Sequence, residues 1–194
     1  MTKRRMTRAD REAQILDVAE QLFVETGFRQ ATMDELAARV GVTKPVIYDY
    51  FGSKAGVLSA LLGRARAGLL EATQTAIEGA TGPEDVLRRS LIVFFEYADE
   101  NAQAWKLVNQ ERDLQALPEV EALRQQQANF TAMMMSAYGD ARDEREPYAY
   151  ALVVIGACEQ IGRWRLDRPD VTPEIAAQYV LDAVWTGLRS RIER

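Results

Sequence analysis

Apolar residues recur at helical intervals along nearly the whole chain, and no segment alternates apolar with polar residues as a half-buried strand would. That period confines the chain to an all-α fold. From Arg8 to Thr26, residues Ile15, Val18, Ala19, Leu22 and Phe23 mark one helical face, and Gly27 supplies a stop just past the last turn. Thr32-Met33-Asp34-Glu35 reads as a capping box. In it the Thr32 hydroxyl accepts from the Glu35 N–H while the Glu35 carboxylate reaches back to the Thr32 N–H. Met33, Leu36, Ala37 and Val40 form the buried face of this short second helix, which Gly41 ends. Thr43 caps a third helix carrying Pro45 in its first turn, where the missing N–H would have no partner anyway. Ile47, Tyr50 and Phe51 give that helix its apolar face; Gly52-Ser53 breaks it and Ser53 caps the next. Three helices with a tight glycine turn between the second and third make a helix-turn-helix.

Beyond residue 52 the helices lengthen. They are expected at 53–79, 83–100, 102–113, 118–138, 145–166 and 173–192, separated by Gly79-Ala-Thr-Gly-Pro83, Asn101, Leu117-Pro118, Gly139-Asp140 and the run from Arg168 to Pro173. Thr172-Pro173-Glu174 is a further N-cap with proline at the first helical position.

Two absences narrow the chemistry. The sequence has no histidine, which removes Ser-His-Asp and Cys-His catalysis and every His-ligated metal site. Its one cysteine, Cys158, allows neither an intramolecular disulfide nor a cysteine cluster for zinc. Catalysis by carboxylates alone stays conceivable, but the easy enzymatic routes are closed, and no catalytic residue, metal or cofactor is expected. With 47% apolar and 27% charged residues the composition is that of a soluble globular protein. No apolar run approaches the ~18 residues of a membrane span. The basic start has no apolar segment behind it, so it is no secretory signal. A cytoplasmic protein, not associated with membranes, is expected.

The formal charge is −5, but its distribution is uneven. Residues 1–60 hold nine Lys/Arg against eight Asp/Glu, whereas residues 61–194 hold fifteen against twenty-one. Within the first eleven residues Lys3, Arg4, Arg5, Arg8 and Arg11 face only Asp10. An acidic body with a basic arm suits a protein that meets phosphate at one end, and equally a solvated tail.

Ile15-Leu-Asp-Val-Ala-Glu-Gln-Leu-Phe-Val-Glu-Thr-Gly-Phe28, then Ala31-Thr-Met-Asp-Glu-Leu-Ala-Ala-Arg-Val-Gly-Val-Thr43, then Val46-Ile-Tyr-Asp-Tyr-Phe-Gly-Ser-Lys54 resemble the DNA-binding domain of the tetracycline-repressor (TetR) family. The resemblance implies a DNA-binding domain over 8–68 and a helical ligand-binding and dimerisation domain over 69–194. It implies a transcriptional regulator, a repressor by expectation, released from its operator by a small ligand. The third helix offers Thr43, Lys44, Pro45 and Tyr48 at the end that a recognition helix presents to base edges. Lys44 can donate to guanine, while the Thr43 methyl and Pro45 ring suit a thymine methyl. Tyr48, Tyr50 and Lys54 resemble the family's phosphate-contacting positions, and Arg29 and Gln30 lie where further backbone contacts would sit. Thr32 and Thr43 can reach phosphate or simply cap; Tyr50 can contact phosphate or belong to the core. Asp49 departs from the family's usual neutral or basic residue. An acid there is unfavourable beside phosphate unless it accepts from a cytosine or pairs with a neighbouring arginine. The basic arm can reach an adjacent minor groove.

In the second half, Leu91, Phe94, Phe95, Phe130 and Met134 lie on helical stripes, with Trp105 on the short helix between them. The resemblance implies a ligand cavity enclosed by such helices, and aromatic and methionine side chains suit an apolar or aromatic ligand. The alternative for each is plain core packing. Glu159 either pairs with Arg163 one turn on or faces the cavity, where it would favour a cation. Cys158 reads as a small packing residue, with a redox sensor as the lesser option. The last two helices resemble the family's dimerisation pair, and a two-fold dimer reads half-sites about 34 Å apart or a multiple of that. Rival readings are a helical carrier or enzyme, or a protein-interaction adaptor, neither of which binds duplex DNA in a salt-dependent way.

Overall fold

A computed structural model describes residues 6–102, 105, 118–137 and 143–192. Among them are eight helices and no strand. They are α1 (Arg8–Thr26), α2 (Met33–Val40), α3 (Lys44–Phe51), α4 (Lys54–Ile77), α5 (Pro83–Glu100), α6 (Pro118–Ser136), α7 (Glu146–Arg165) and α8 (Pro173–Ile192). The helix expected at 102–113 and the basic residues Lys3, Arg4 and Arg5 lie outside the described residues, apart from Ala102 and Trp105. No helix among the described residues is long and apolar enough to cross a membrane.

The chain divides into two compact units. One runs up to Ala65 and takes in 103–121; the other comprises 66–102 and 122–194. In the first, α1 opens with a reciprocal box in which the Thr7 hydroxyl accepts from the Asp10 N–H and the Asp10 carboxylate accepts from the Thr7 N–H, both at 3.0 Å. At α2 only half of the expected box forms. The Thr32 hydroxyl accepts from the Glu35 N–H at 3.1 Å, but the Glu35 carboxylate turns to Arg39, 2.8 Å away one turn on. A charged guanidinium outbids a neutral N–H for a carboxylate. Arg39 also reaches Glu25 on α1 at 2.5 Å, fastening α1 to α2.

Gly41 closes α2 at φ +77°, a left-handed conformation costly for any residue with a Cβ, and its N–H satisfies the Ala37 carbonyl at 3.0 Å. The chain is thereby turned straight into α3. Ile15, Leu22, Phe23, Leu36, Ile47 and Leu58 meet in a core from which water is excluded. α1, α2, α3 and the first turns of α4 thus share one interior, which fixes the angle between α2 and α3.

In the second unit α8 packs on α5 and α7. Leu91 and Phe95 of α5 enclose a core with Val154 and Cys158 of α7 and Ala176, Ala177 and Val180 of α8. Small residues let the three backbones approach closely, and Gly68 does the same between α4 and α5, since a Cβ there would lie 2.5 Å from the Tyr97 hydroxyl. The α5 and α7 C-termini are clasped by Arg165. Its guanidinium meets both Asp99 oxygens at 2.7 and 2.9 Å and donates to the Val171 carbonyl at 3.1 Å.

Candidate nucleic-acid interface and candidate effector site

The N-terminal end of α3 is presented by the core behind it. Ile47 is wholly buried, which turns Thr43, Pro45 and Tyr48 outward, Tyr48 being 42% exposed. Thr43 occupies the N-cap position with extended backbone, but its side chain makes no cap hydrogen bond. The expectation that Thr43 caps is therefore corrected: Pro45 removes one N–H from the first turn, and the hydroxyl stays at the surface. Lys44 is half-exposed, and its ammonium lies 2.8 Å from the Asp34 carboxylate of α2. That hydrogen bond holds the Lys44 pKa above the ordinary lysine value.

Thr32, Arg29 and Gln30 are exposed at the approach to α2. Lys54, the first residue of α4, points back to this approach. Its ammonium donates to the carbonyls of Ala31 at 2.7 Å and Arg29 at 3.1 Å and stands 4.6 Å over the Phe28 ring. Ser53 caps α4, its hydroxyl accepting from the Gly56 N–H at 2.9 Å. Tyr50 is half-buried against the first core, and the Arg8 guanidinium stacks on its ring at 4.6 Å while reaching Asp49 at 3.5 Å. The arginine that Asp49 was expected to need is thus Arg8. Sequence reading missed Asp34 as the partner of Lys44. The signal was an acid in the first turn of α2, ten positions upstream, but the turn at Gly41 decides whether those positions meet.

Of the candidate effector residues, Leu91 and Phe95 are interior, with 2% and 0% exposure. Phe94 is half-buried beside them, edge-on to Phe95 at 5.1 Å. Phe130 and Met134 on α6 are half-buried, as is Trp105, which belongs to the first unit. Glu159 pairs with Arg124 of α6 at 3.5 Å, not with Arg163. The intrahelical pairing is corrected: a partner across the α6–α7 contact takes the carboxylate. The buried Nε of Arg163 has no hydrogen-bond partner among the described residues. Cys158 is buried, and that burial pushes its thiol up to about 12. No cluster of His, Cys, Asp and Glu fit for a metal lies among the described residues.

The outer faces of α7 and α8 are apolar. Leu152, Val153 and Trp164 on α7 and Ile175 and Tyr179 on α8 are between 38% and 57% exposed. Gly156, and Ala183 and Gly187 spaced by one turn after Tyr179, keep these faces smooth. Trp164 and Tyr179 meet edge-on at 6.4 Å.

Comparison with known proteins places this geometry. Residues 15–61 match the family described as bacterial regulatory proteins, tetR family. The chain is 35% identical over 118 residues to the HTH-type transcriptional activator FasR of Mycolicibacterium smegmatis, covering 61% of this chain and 53% of that one. It is 28% identical over 141 residues to the HTH-type transcriptional repressor BepR of Brucella suis, covering 70% and 68%. The chain thus spans about half the length of FasR and about two thirds of BepR. A solved TetR-like transcriptional regulator from Rhodococcus sp. RHA1 superposes with a TM-score of 0.69 at 27% identity, over 96% of this chain and 100% of that one.

Proposed function

Because the chain belongs to the TetR family of bacterial regulatory proteins, we propose that it regulates transcription by binding a pseudo-palindromic operator as a homodimer, with residues 8–68 reading DNA and 69–194 sensing ligand and dimerising. The observation that carries this reading is the exposed N-terminal end of α3, held on a packed core with Thr43, Lys44, Pro45 and Tyr48 all at the surface. These four meet base edges and the nearest phosphates. Arg29, Gln30, Thr32 and Tyr50 flank them toward the sugar-phosphate backbone, and Lys54 adds its charge while holding the turn that carries Arg29.

The apolar outer faces of α7 and α8 support a two-fold dimer, since a self-complementary patch of this kind seeks its own copy. Half-sites about 34 Å apart, or a multiple of that, follow from two recognition helices on one face of the duplex. Repression needs only that the dimer occupy promoter DNA; of the relatives, BepR is named a repressor and FasR an activator.

An apolar or aromatic effector is proposed against Phe94, Phe130 and Met134, with Leu91 and Phe95 packed behind Phe94. Glu159 is neutralised by Arg124, which removes the argument for a cationic ligand. Release follows if the effector binds one dimer geometry more tightly than the other, because coupling is differential affinity and nothing else. The continuous helix α4, from Lys54 to Ile77, is the element proposed to carry it.

Operator selection from a random duplex pool, followed by salt titration and in vitro transcription, tests the proposal. A pseudo-palindrome is expected, with affinity that falls steeply with salt and weakens on Lys44→Ala. No enrichment by folded, ligand-free protein overturns the reading.

A further inference from the structure

We propose that Asp34 is an intramolecular phosphate mimic that competes with duplex DNA for Lys44 and so restrains the affinity of the recognition helix for DNA of any sequence. The inference rests on the duplex-binding reading and goes beyond it. Its basis is the 2.8 Å pair between Lys44, the first residue of α3, and Asp34, in the first turn of α2. Neither side chain is driven together by burial, for they are 42% and 73% exposed. The carboxylate therefore stands on the very surface that a duplex must approach.

Non-specific association is almost wholly the exchange of counterions for protein cations along the phosphates. A lysine already held by a carboxylate gains little from that exchange. To reach a phosphate it must leave Asp34, and the carboxylate left behind then faces the phosphate across a short gap. Exposed pairs of this kind are worth up to about five-fold in an equilibrium constant. A non-cognate complex keeps the pair and forgoes Lys44. At a cognate site Lys44 gains hydrogen bonds to a base edge, which exceed that cost. Both classes of complex are therefore weaker than they would be without the carboxylate, the cognate one by the cost of breaking the pair and the non-cognate one by the phosphate contact it forgoes.

The same arrangement recurs at the far end of α3. Asp49 holds Arg8 at 3.5 Å, a longer pair that predicts a smaller effect. Together the two acids occupy cations at both ends of the helix that reads the DNA.

The test uses the full chain, a duplex of mixed random sequence and the selected operator, with affinity followed by fluorescence anisotropy at several salt concentrations. Asp34→Asn is expected to bind the random duplex about five-fold more tightly. The magnitude of its salt slope should rise by about one, the signature of one added phosphate contact. Operator affinity should also rise, by up to about five-fold, because cognate binding no longer has to break the pair. The gain should vanish in Asp34→Asn combined with Lys44→Ala. Lys44→Ala alone tests the idea without touching the first turn of α2: it should weaken operator binding about ten-fold and random-duplex binding clearly less, because the non-cognate complex leaves Lys44 on Asp34. Random-duplex affinity that is unchanged or lower in Asp34→Asn, or that falls in Lys44→Ala as much as operator affinity does, overturns the inference and reduces the pair to a brace between α2 and α3. Wild-type protein without affinity for any duplex removes the duplex-binding reading itself, and this inference with it.

Discussion

Lys54 and Ala31 are joined by a 2.7 Å hydrogen bond from the ammonium to the backbone carbonyl, with the Arg29 carbonyl accepting a second at 3.1 Å. The first residue of α4 therefore closes the turn between α1 and α2, and the Phe28 ring beneath it adds a cation–π contact. A lysine in such a place shapes the interface as well as charging it.

Lys54→Met keeps the aliphatic stem and removes the donors. The two carbonyls regain water in part, so the expected loss is about 1–2 kcal/mol of unfolding free energy. Urea unfolding measures it. A loss below about 0.5 kcal/mol would show that water replaces the ammonium without penalty.

Arg165 is the corresponding fastening in the second unit. Its side chain is 8% exposed and bridges Asp99 on α5 to the Val171 carbonyl ahead of α8. Arg165→Met leaves that carbonyl and Asp99 without their donor. Asp99→Ala leaves a nearly buried guanidinium with only the Val171 and Phe95 carbonyls to donate to, but Asp99 is itself half-exposed, which reduces the cost. Each change is expected to lower stability by about 1–3 kcal/mol. In the double variant the losses should fail to add by about 1 kcal/mol. Additive losses in thermal unfolding would show that the two groups act separately.

What could be read in advance was whatever depends on neighbours along the chain. The start of α5 at Pro83 and of α8 at Pro173, the buried face of α2 and the caps at Thr32 and Ser53 all follow from local spacing and proline or cap chemistry. The pairings of charged side chains were not legible. Glu35 prefers Arg39 to the N–H of Thr32, Lys44 meets Asp34, and Glu159 meets Arg124 instead of Arg163. A charged side chain several ångströms long has many partners in reach, and tertiary geometry selects among them. The effector residues divide for the same reason. A helical stripe identifies Leu91 and Phe95 as inward, but the packing of α7 and α8 makes them interior core.

Asp10 provides a test by pH. Its carboxylate, bonded to the Thr7 backbone N–H and then to the Thr7 side chain, is held below the ordinary carboxylate value. A depressed folded-state value means that the stabilisation is complete above the unfolded pKa, about 3.9, and is lost as pH falls through the lowered folded value. Protection of the Thr7 and Asp10 amides, taken relative to intrinsic exchange at each pH, should hold above the unfolded value and fall as pH drops through the lowered folded one. Protection that is already absent near neutral pH would show that the box does not hold in solution.

Cys158 should be inert in the native protein. It is buried in the second core, and burial with Glu159 nearby holds its thiol at about 12, so almost no thiolate exists at neutral pH. Ellman's reagent at pH 8 should label it only as fast as the unit unfolds, and fully in urea. Rapid stoichiometric labelling of folded protein would revive a redox role.

The outer face of α7 and α8 predicts the assembly. Val153 and Tyr179 are 57% and 51% exposed, and neither braces the core behind them. Replacing either with Glu should therefore leave the fold intact. A two-fold interface meets its own copy, so one substitution places the charge in the contact twice. Burying even one unpaired carboxylate costs several kcal/mol, and the dimer is expected to weaken at least about a hundred-fold. Sedimentation velocity across a concentration series gives the constant directly, and circular dichroism reports that helices persist. Operator affinity should fall in step, because two half-sites joined in one dimer bind far more tightly than one. Variants that remain dimeric would move the interface to another face, and variants that become monomeric yet keep full operator affinity would separate DNA reading from dimerisation altogether.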